Sequence, residues 1–285
     1  MNELHSQLEG ILRQTSAWNK LRVEITALEE NFSRQQFFYL FAICPRWLKS
    51  DANSVNISAM LDSAMFDPFG VMTHWRATQV ARLYLLIKLY DYSNAVEYHH
   101  VIDELFKTAD VNEQILLVQS LQFIPQAELF VERAREAARS NIESVFSAVA
   151  HNTPYAKTYF NNDGWDQLIL KAAFLAVPIW NIVGLKERNN FRLVTMLKDY
   201  VLERQAASRS VPWDLFCCPG WLAQGEEDLQ FIAGQFQRGT LKIQQAICLA
   251  LQENAHEPAV YLAQQLKTQL LNPLDSWQAI AELED

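Results

Sequence analysis

Apolar residues return every three or four positions along most of this chain. That period suits one face of a helix and is of no use to a strand. Segment 241–254, LKIQQAICLALQEN, places Ile243, Ala246, Ile247, Ala250 and Leu251 on one side. Segment 258–271 repeats the pattern with Ala259, Leu262, Ala263, Leu266 and Leu270, and Pro258 suits its first turn. Segment 128–150 carries Val131, Ala134, Ala138, Ile142, Val145 and Val149 in the same steps, and 189–207 sets Leu193, Leu197 and Tyr200 together. No stretch alternates between two faces and ends in hairpin turns. The 285 residues include 8 glycines and 9 prolines, about half the usual share. Few turn formers mean few turns, so the sequence predicts an all-α fold of roughly a dozen helices and no sheet.

Two segments are apolar nearly all round, 75–90 (WRATQVARLYLLIKLY) and 165–180 (WDQLILKAAFLAVPIW). Helices without a polar face are covered on several sides, so these two are expected at the centre of the core. Asn162 or Asp163 can cap the second, and Pro178 should end or kink it. NEQILLVQSLQFIP (112–125) echoes WDQLILKAAFLAVP (165–178), and 241–254 resembles the inner helix of a HEAT pair. The spacings are irregular against the roughly 40–47 residues of true HEAT arrays. The expectation is an irregular HEAT-like helical superhelix, with a closed helical bundle as the alternative. It would form a single domain over 1–285. Segments 50–57 and 208–226 read as loops, the second a loop-rich join before the C-terminal helices.

Composition excludes more than it identifies. The net charge of −9 argues against nucleic acid or anionic lipid as the main partner. The N-terminal MNELHSQLEGILRQ lacks a basic stretch followed by an apolar core, so no secretory signal is expected. No apolar run reaches the ~18 residues a membrane span needs. Cys44, Cys217, Cys218 and Cys248 form no CxxC pair and read as buried hydrophobes of a reducing compartment. No phosphate loop, dinucleotide fingerprint, GxSxG elbow, HExxH or DDxxD is present, so no cofactor, no resident metal and no catalytic set is expected. His99 with Asp103, and His100 with Glu104, are spaced to hold one edge of a metal, but such pairs are commonly ordinary side-chain contacts. Glu226, Glu227 and Asp228 follow Gly225 and suit the positive end of a helix. The eight tryptophans are scattered along the chain.

The informative residues are polar groups on apolar faces. Lys171 lies among Leu168, Ile169, Leu170, Ala172 and Ala173, and Arg82 among Val80, Leu83, Leu85 and Leu86. A cation in such surroundings must pair, reach water or lower its pKa. Asn141 falls on the stripe of Ala134, Ala138 and Val145, with Arg139 beside it. Glu203 and Arg204 lie near the inward direction set by Leu193, Leu197 and Tyr200, and Asp199 is a carboxylate within reach. These groups either tie helices together or form the polar floor of a ligand cavity.

Five blocks carry a resemblance to a known family: FFYLFAICPRWL (37–48), WRATQVARLYLLIKL (75–89), AREAARSNIESVFSAVAHNTPYAKTYF (134–160), WDQLILKAAFLAVPIWNIVGLKERNN (165–190) and LVTMLKDYVLERQAASRSVP (193–212). Together, in order and separation, they resemble the EboA family. The most specific stretch runs from Arg139-x-Asn141 through Asn152-x-Pro154-Tyr155, the Trp165-led apolar helix with Lys171, and Gly184-Leu185-x-x-Arg188-x-Asn190, to Asp199-Tyr200 and Glu203-Arg204. This chain has Trp165-Asp166-Gln167 where the family pattern has Trp-Asn-Gln. The resemblance implies an accessory role in specialised-metabolite biosynthesis or export by an Ebo-type gene cluster. In cyanobacteria it implies movement of the scytonemin precursor towards the periplasm. It supplies no catalytic residues.

The expected function is therefore a non-enzymatic scaffold or metabolite-binding protein, cytoplasmic or at the inner face of the membrane. Its partners would be other Ebo-cluster proteins or an apolar metabolite, not nucleic acid. The candidate ligand-binding or buried polar set is Arg82, Arg139, Asn141, Asn152, Tyr155, Lys171, Asp199, Glu203 and Arg204. The alternative is an enzyme of unknown reaction, using an apolar cavity with Lys171 as an acid–base group beside Tyr155, Asp199 or Glu203.

Overall fold

The apolar period becomes helix throughout. A computed structural model describes residues 2–51 and 57–284, and among them all regular structure is helical, with no strand. Residues 52–56, most of the predicted 50–57 loop, lie outside the described residues. The chain divides into two compact units, Met1–Phe160 and Asn161–Asp285. The stretch 208–226 lies inside the second unit.

The first unit contains α1 (Asn2–Leu12), α2 (Trp18–Glu30), α3 (Arg34–Trp47), α4 (Ile57–Met60), α5 (Ser63–Phe66), α6 (Ala77–Tyr92), α7 (Ala95–Thr108), α8 (Val111–Ser120), α9 (Val131–Ala138), α10 (Glu143–Ala150) and α11 (Tyr155–Tyr159). Helix α6 is the apolar segment read from the sequence. Its residues Leu83 to Ile87 are all buried, and α1, α3 and α7 pack against it. Polar side chains start the flanking helices: Asn94 accepts the Glu97 N–H at 2.9 Å to cap α7, and Asp110 accepts the Glu113 N–H at 2.9 Å to cap α8.

The second unit contains α12 (Asn162–Leu175), α13 (Leu185–Arg188), α14 (Phe191–Ala206), α15 (Cys217–Leu222), α16 (Glu226–Arg238), α17 (Leu241–Gln252), α18 (Glu257–Lys267) and α19 (Trp277–Ala281). Helix α17 is the hub. It packs against α15, α16, α18, α19 and the 3₁₀ turn Trp213–Phe216. Its approach to α15 depends on Gly220, where an added Cβ would stand 2.4 Å from the Ala250 Cβ. Helix α12 is the second all-round apolar segment. Asn161, one residue before the expected caps, accepts the Gly164 N–H at 2.9 Å. The helix stops at Leu175, ahead of Pro178, because Ala176 turns left-handed at φ 55° and Val177 N–H bonds back to the Ala172 carbonyl at 2.9 Å.

Two stretches differ from their sequence reading. Segment 128–150 is not one helix: it divides into α9 and α10. The Ser140 hydroxyl accepts the Ile142 N–H at 3.1 Å, and this local bond replaces a helical one. Segment 208–226 is largely helical, and Pro219 is tolerated there because it sits in the first turn of α15. The four cysteines are free and buried, and burial pushes the thiols of Cys44 and Cys248 up to about 12 and about 11 respectively.

Candidate functional site

The candidate residues fall in both units. In the first, Arg82 is the cation embedded in α6. Its Nε donates to the Phe41 carbonyl at 3.1 Å, its guanidinium lies 4.8 Å from the Phe41 ring centroid, and its Nη2 meets Glu113 Oε1 at 2.5 Å. Its charge is thus answered by a carboxylate contributed by α8. Arg139 ends α9 and is exposed. It lines a hollow of about 290 Å³ together with Arg133 and Glu136. Asn141 is exposed in the break before α10, so the stripe expected to draw it inward does not continue that far.

The Asn152–Tyr155 motif is a turn builder. Asn152 takes the left-handed conformation at φ 58°, which asparagine tolerates better than most residues. The Thr153 hydroxyl accepts the Tyr155 N–H at 3.1 Å, and the Tyr155 hydroxyl donates to the Ala127 carbonyl at 2.5 Å. Burial holds that phenol far above its ordinary pKa.

A second hollow in this unit, of about 570 Å³, opens between Phe38 and Phe41 on α3 and Glu104 and Leu105 on α7. The histidine–carboxylate pairs of α7 have other uses for their acids. Asp103 Oδ1 lies 2.5 Å from Arg133 Nη2 and Asp103 Oδ2 lies 2.6 Å from Lys107 Nζ. Among the described residues, no three His, Cys, Asp or Glu side chains are grouped to hold an ion.

In the second unit Lys171 is half-buried on α12, while Asp199 and Glu203 are exposed on α14. A brace outside the candidate set ties α12 to α14. Asp166, where the family pattern has Asn, is buried and accepts from Arg192 Nη2 at 2.6 Å and Arg192 Nε at 2.7 Å. Asn190 donates to the same carboxylate at 3.0 Å and caps α14 by accepting the Leu193 N–H at 2.9 Å. Arg188 covers the Trp165 ring at 4.8 Å. The Gly184–Asn190 motif is thus spent on holding two helices in register. The signal was the acid at position 166 together with the arginine at 192.

Arg204 is the member of the candidate set that faces a large cavity, of about 600 Å³, within the second unit. The end of α12 supplies Ala173 and Phe174, and the turn after it supplies Val177, Pro178 and Trp180. Arg204 comes from α14 and Trp213 and Asp214 from the 3₁₀ turn. Thr240, Leu241 and Lys242 come from the start of α17, and Ala281 and Glu284 from the α19 end. Local bonds shape these walls. Tyr200 donates from its hydroxyl to the Ala173 carbonyl at 3.3 Å and sets its ring edge-on to Phe174 at 4.8 Å. Arg204 donates from Nη1 to the Tyr200 hydroxyl at 3.1 Å, and from Nε to the Ser210 carbonyl. Asp214 accepts the Ile179 N–H at 2.6 Å, which fixes the turn between Ala176 and Trp180. Burial pushes the Asp214 carboxyl up to about 6 despite the backbone N–H groups that favour its charge.

This cavity is mostly apolar, with aromatic walls and a few polar groups, and its volume lies in the range of small-molecule sites. Trp213, Asp214 and Lys242 were not expected there, because their segments are far apart in sequence and 208–226 carries no periodic signal.

No described helix is long and apolar enough to cross a membrane. No curated protein sequence and no solved structure matches the chain. A family model described as metabolite traffic protein EboA matches residues 1–218, a span that takes in the first unit and the second through the start of α15. With well over half its length matched, this chain belongs to the EboA family of metabolite traffic proteins.

Proposed function

We propose that the protein is a non-enzymatic metabolite-binding accessory, and that the cavity of the second unit holds its cargo. The observation that carries this reading is the 600 Å³ space with Phe174, Val177, Trp180 and Trp213 on its walls. Apolar and aromatic walls with a few fixed polar groups are what a small-molecule site requires. The family description, metabolite traffic, supports cargo rather than turnover. Within this reading the protein serves biosynthesis or export by an Ebo-type cluster from the cytoplasmic side. It passes its cargo to other proteins of that cluster. The resemblance points, for cyanobacteria, to the scytonemin precursor.

The enzyme alternative draws no support from the residues it would need. The Tyr155 hydroxyl is engaged by the Ala127 carbonyl at 2.5 Å, and Asp199 and Glu203 are exposed.

Native mass spectrometry of the full chain purified from a host carrying the cluster tests the proposal. A small molecule should be retained, and it should be lost when Ala281→Trp fills the cavity. A chain that emerges empty, and captures none of the cluster's other proteins in a pull-down, would overturn it.

A further inference from the structure

The arginines at positions 13, 34, 82, 133, 135 and 192 each meet a carboxylate. Arg204 does not. It is half-buried on the cavity wall, and no carboxylate among the described residues lies within ion-pair distance of it. Its hydrogen bonds go to two neutral acceptors, the Tyr200 hydroxyl and the Ser210 carbonyl. The Tyr200 ring backs the guanidinium at 5.6 Å. A guanidinium has five N–H donors in a fixed fork. Two of them are used in holding the group in place, and three remain on the terminal nitrogens. Fixing a fork with neutral partners orients it without discharging it, which is how an arginine is prepared for an oxyanion from outside the chain.

Two further features of positive sign line the cavity. Lys242 lines it, and so does the first turn of α17, a 12-residue helix whose N-terminal amides carry the positive end of the helix dipole. Two acids also line the cavity. Asp214 turns its carboxylate to the Ile179 amide at 2.6 Å, and Glu284 is exposed. The remaining wall is aromatic, with Trp180, Trp213 and Phe174 offering flat apolar surface.

Resting on the proposed function, we infer that the cargo is an amphiphilic acid, with a flat apolar body against Trp180 and Trp213 and a carboxylate, sulfate or phosphate group on the fork of Arg204. The acid group supplies the selectivity of the site and the rings supply its area.

Two dyes with one ring skeleton separate the two contributions. 8-Anilinonaphthalene-1-sulfonate carries an anion, and N-phenyl-1-naphthylamine lacks it. Fluorescence titration of the full chain should give at least tenfold tighter binding of the sulfonate. In Arg204→Gln the ratio of the two affinities should fall towards one, and in Arg204→Lys it should lie between. Hydrogen exchange on the wild-type chain is the second measurement and needs no variant. The sulfonate should protect residues 204–214 and 240–243. Equal affinity for the two dyes overturns the acid preference and leaves the cavity reading standing. A ratio that survives in a folded Arg204→Gln overturns the acid preference alone, whereas protection confined to segments that do not line the cavity overturns the cavity reading with it. Failure of both dyes to bind the wild-type chain overturns the acid preference and the cavity reading together.

Discussion

At Asp214 burial and hydrogen bonding pull in opposite directions, and burial wins: the carboxyl is pushed up to about 6. The sign of the effect on stability follows from linkage. Unfolded, the group titrates near 4. Between about pH 4 and about pH 6 the native state holds a proton that the unfolded state has released. The stability this contributes is fully present below pH 4 and is lost as pH rises through about 6, to a total of roughly 3 kcal/mol at most. Wild-type chain should therefore lose thermal stability across that window relative to Asp214→Asn, in which the proton cannot leave. Parallel melting curves for the two proteins from pH 4 to pH 7 would contradict the assignment.

A second residue on the same cavity wall stores backbone strain. Ala176 sits at φ 55°, where a Cβ is disfavoured by roughly 1 kcal/mol and glycine is at ease. Urea unfolding of Ala176→Gly should show a gain of that order. An unchanged or lowered midpoint would mean that the Cβ has a packing role worth more than the strain.

Element by element, the sequence declared its helices better than their ends. Helix α17 could be placed from its periodic apolar face, and α6 and α12 from runs that are apolar nearly all round. The break at 139–142 could not, because the apolar steps run on through it while the Ser140 hydroxyl takes the Ile142 amide. Asn141 was drawn into the candidate site by the continued period and lies exposed for that reason. Arg204 was legible as a charge near an apolar face. Trp213, Asp214 and Lys242 were not, since only the fold brings the 3₁₀ turn and the start of α17 to the same space as Arg204.

At the same scale, α15 and α17 approach closely enough that their crossing admits no side chain at Gly220. Gly220→Ala would drive a methyl group into Ala250 and should cost about 1–3 kcal/mol, read from the denaturation midpoint. The α12–α14 brace gives a contrasting case. Asp166→Asn restores the residue type of the family pattern and keeps an acceptor for Asn190, but removes the charge that faces Arg192. A loss of about 1 kcal/mol is expected. No change would show that Asp163, 2.5 Å from Arg192, suffices for that arginine.

For the whole molecule, the two compact units carry different thiols. Cys44 belongs to the first, and Cys217, Cys218 and Cys248 to the second. All four are buried, and burial further disfavours the reactive thiolate at Cys44, Cys217 and Cys248. Alkylation must therefore wait for the chain around each sulfur to open. The native sequence is thus already labelled for unit-by-unit unfolding, with one reporter on one side and three on the other. Timed iodoacetamide treatment read by peptide mass gives each unit's opening rate without an engineered probe, and a cargo seated beside Arg204 should slow the last three sulfurs while leaving Cys44 on its own schedule.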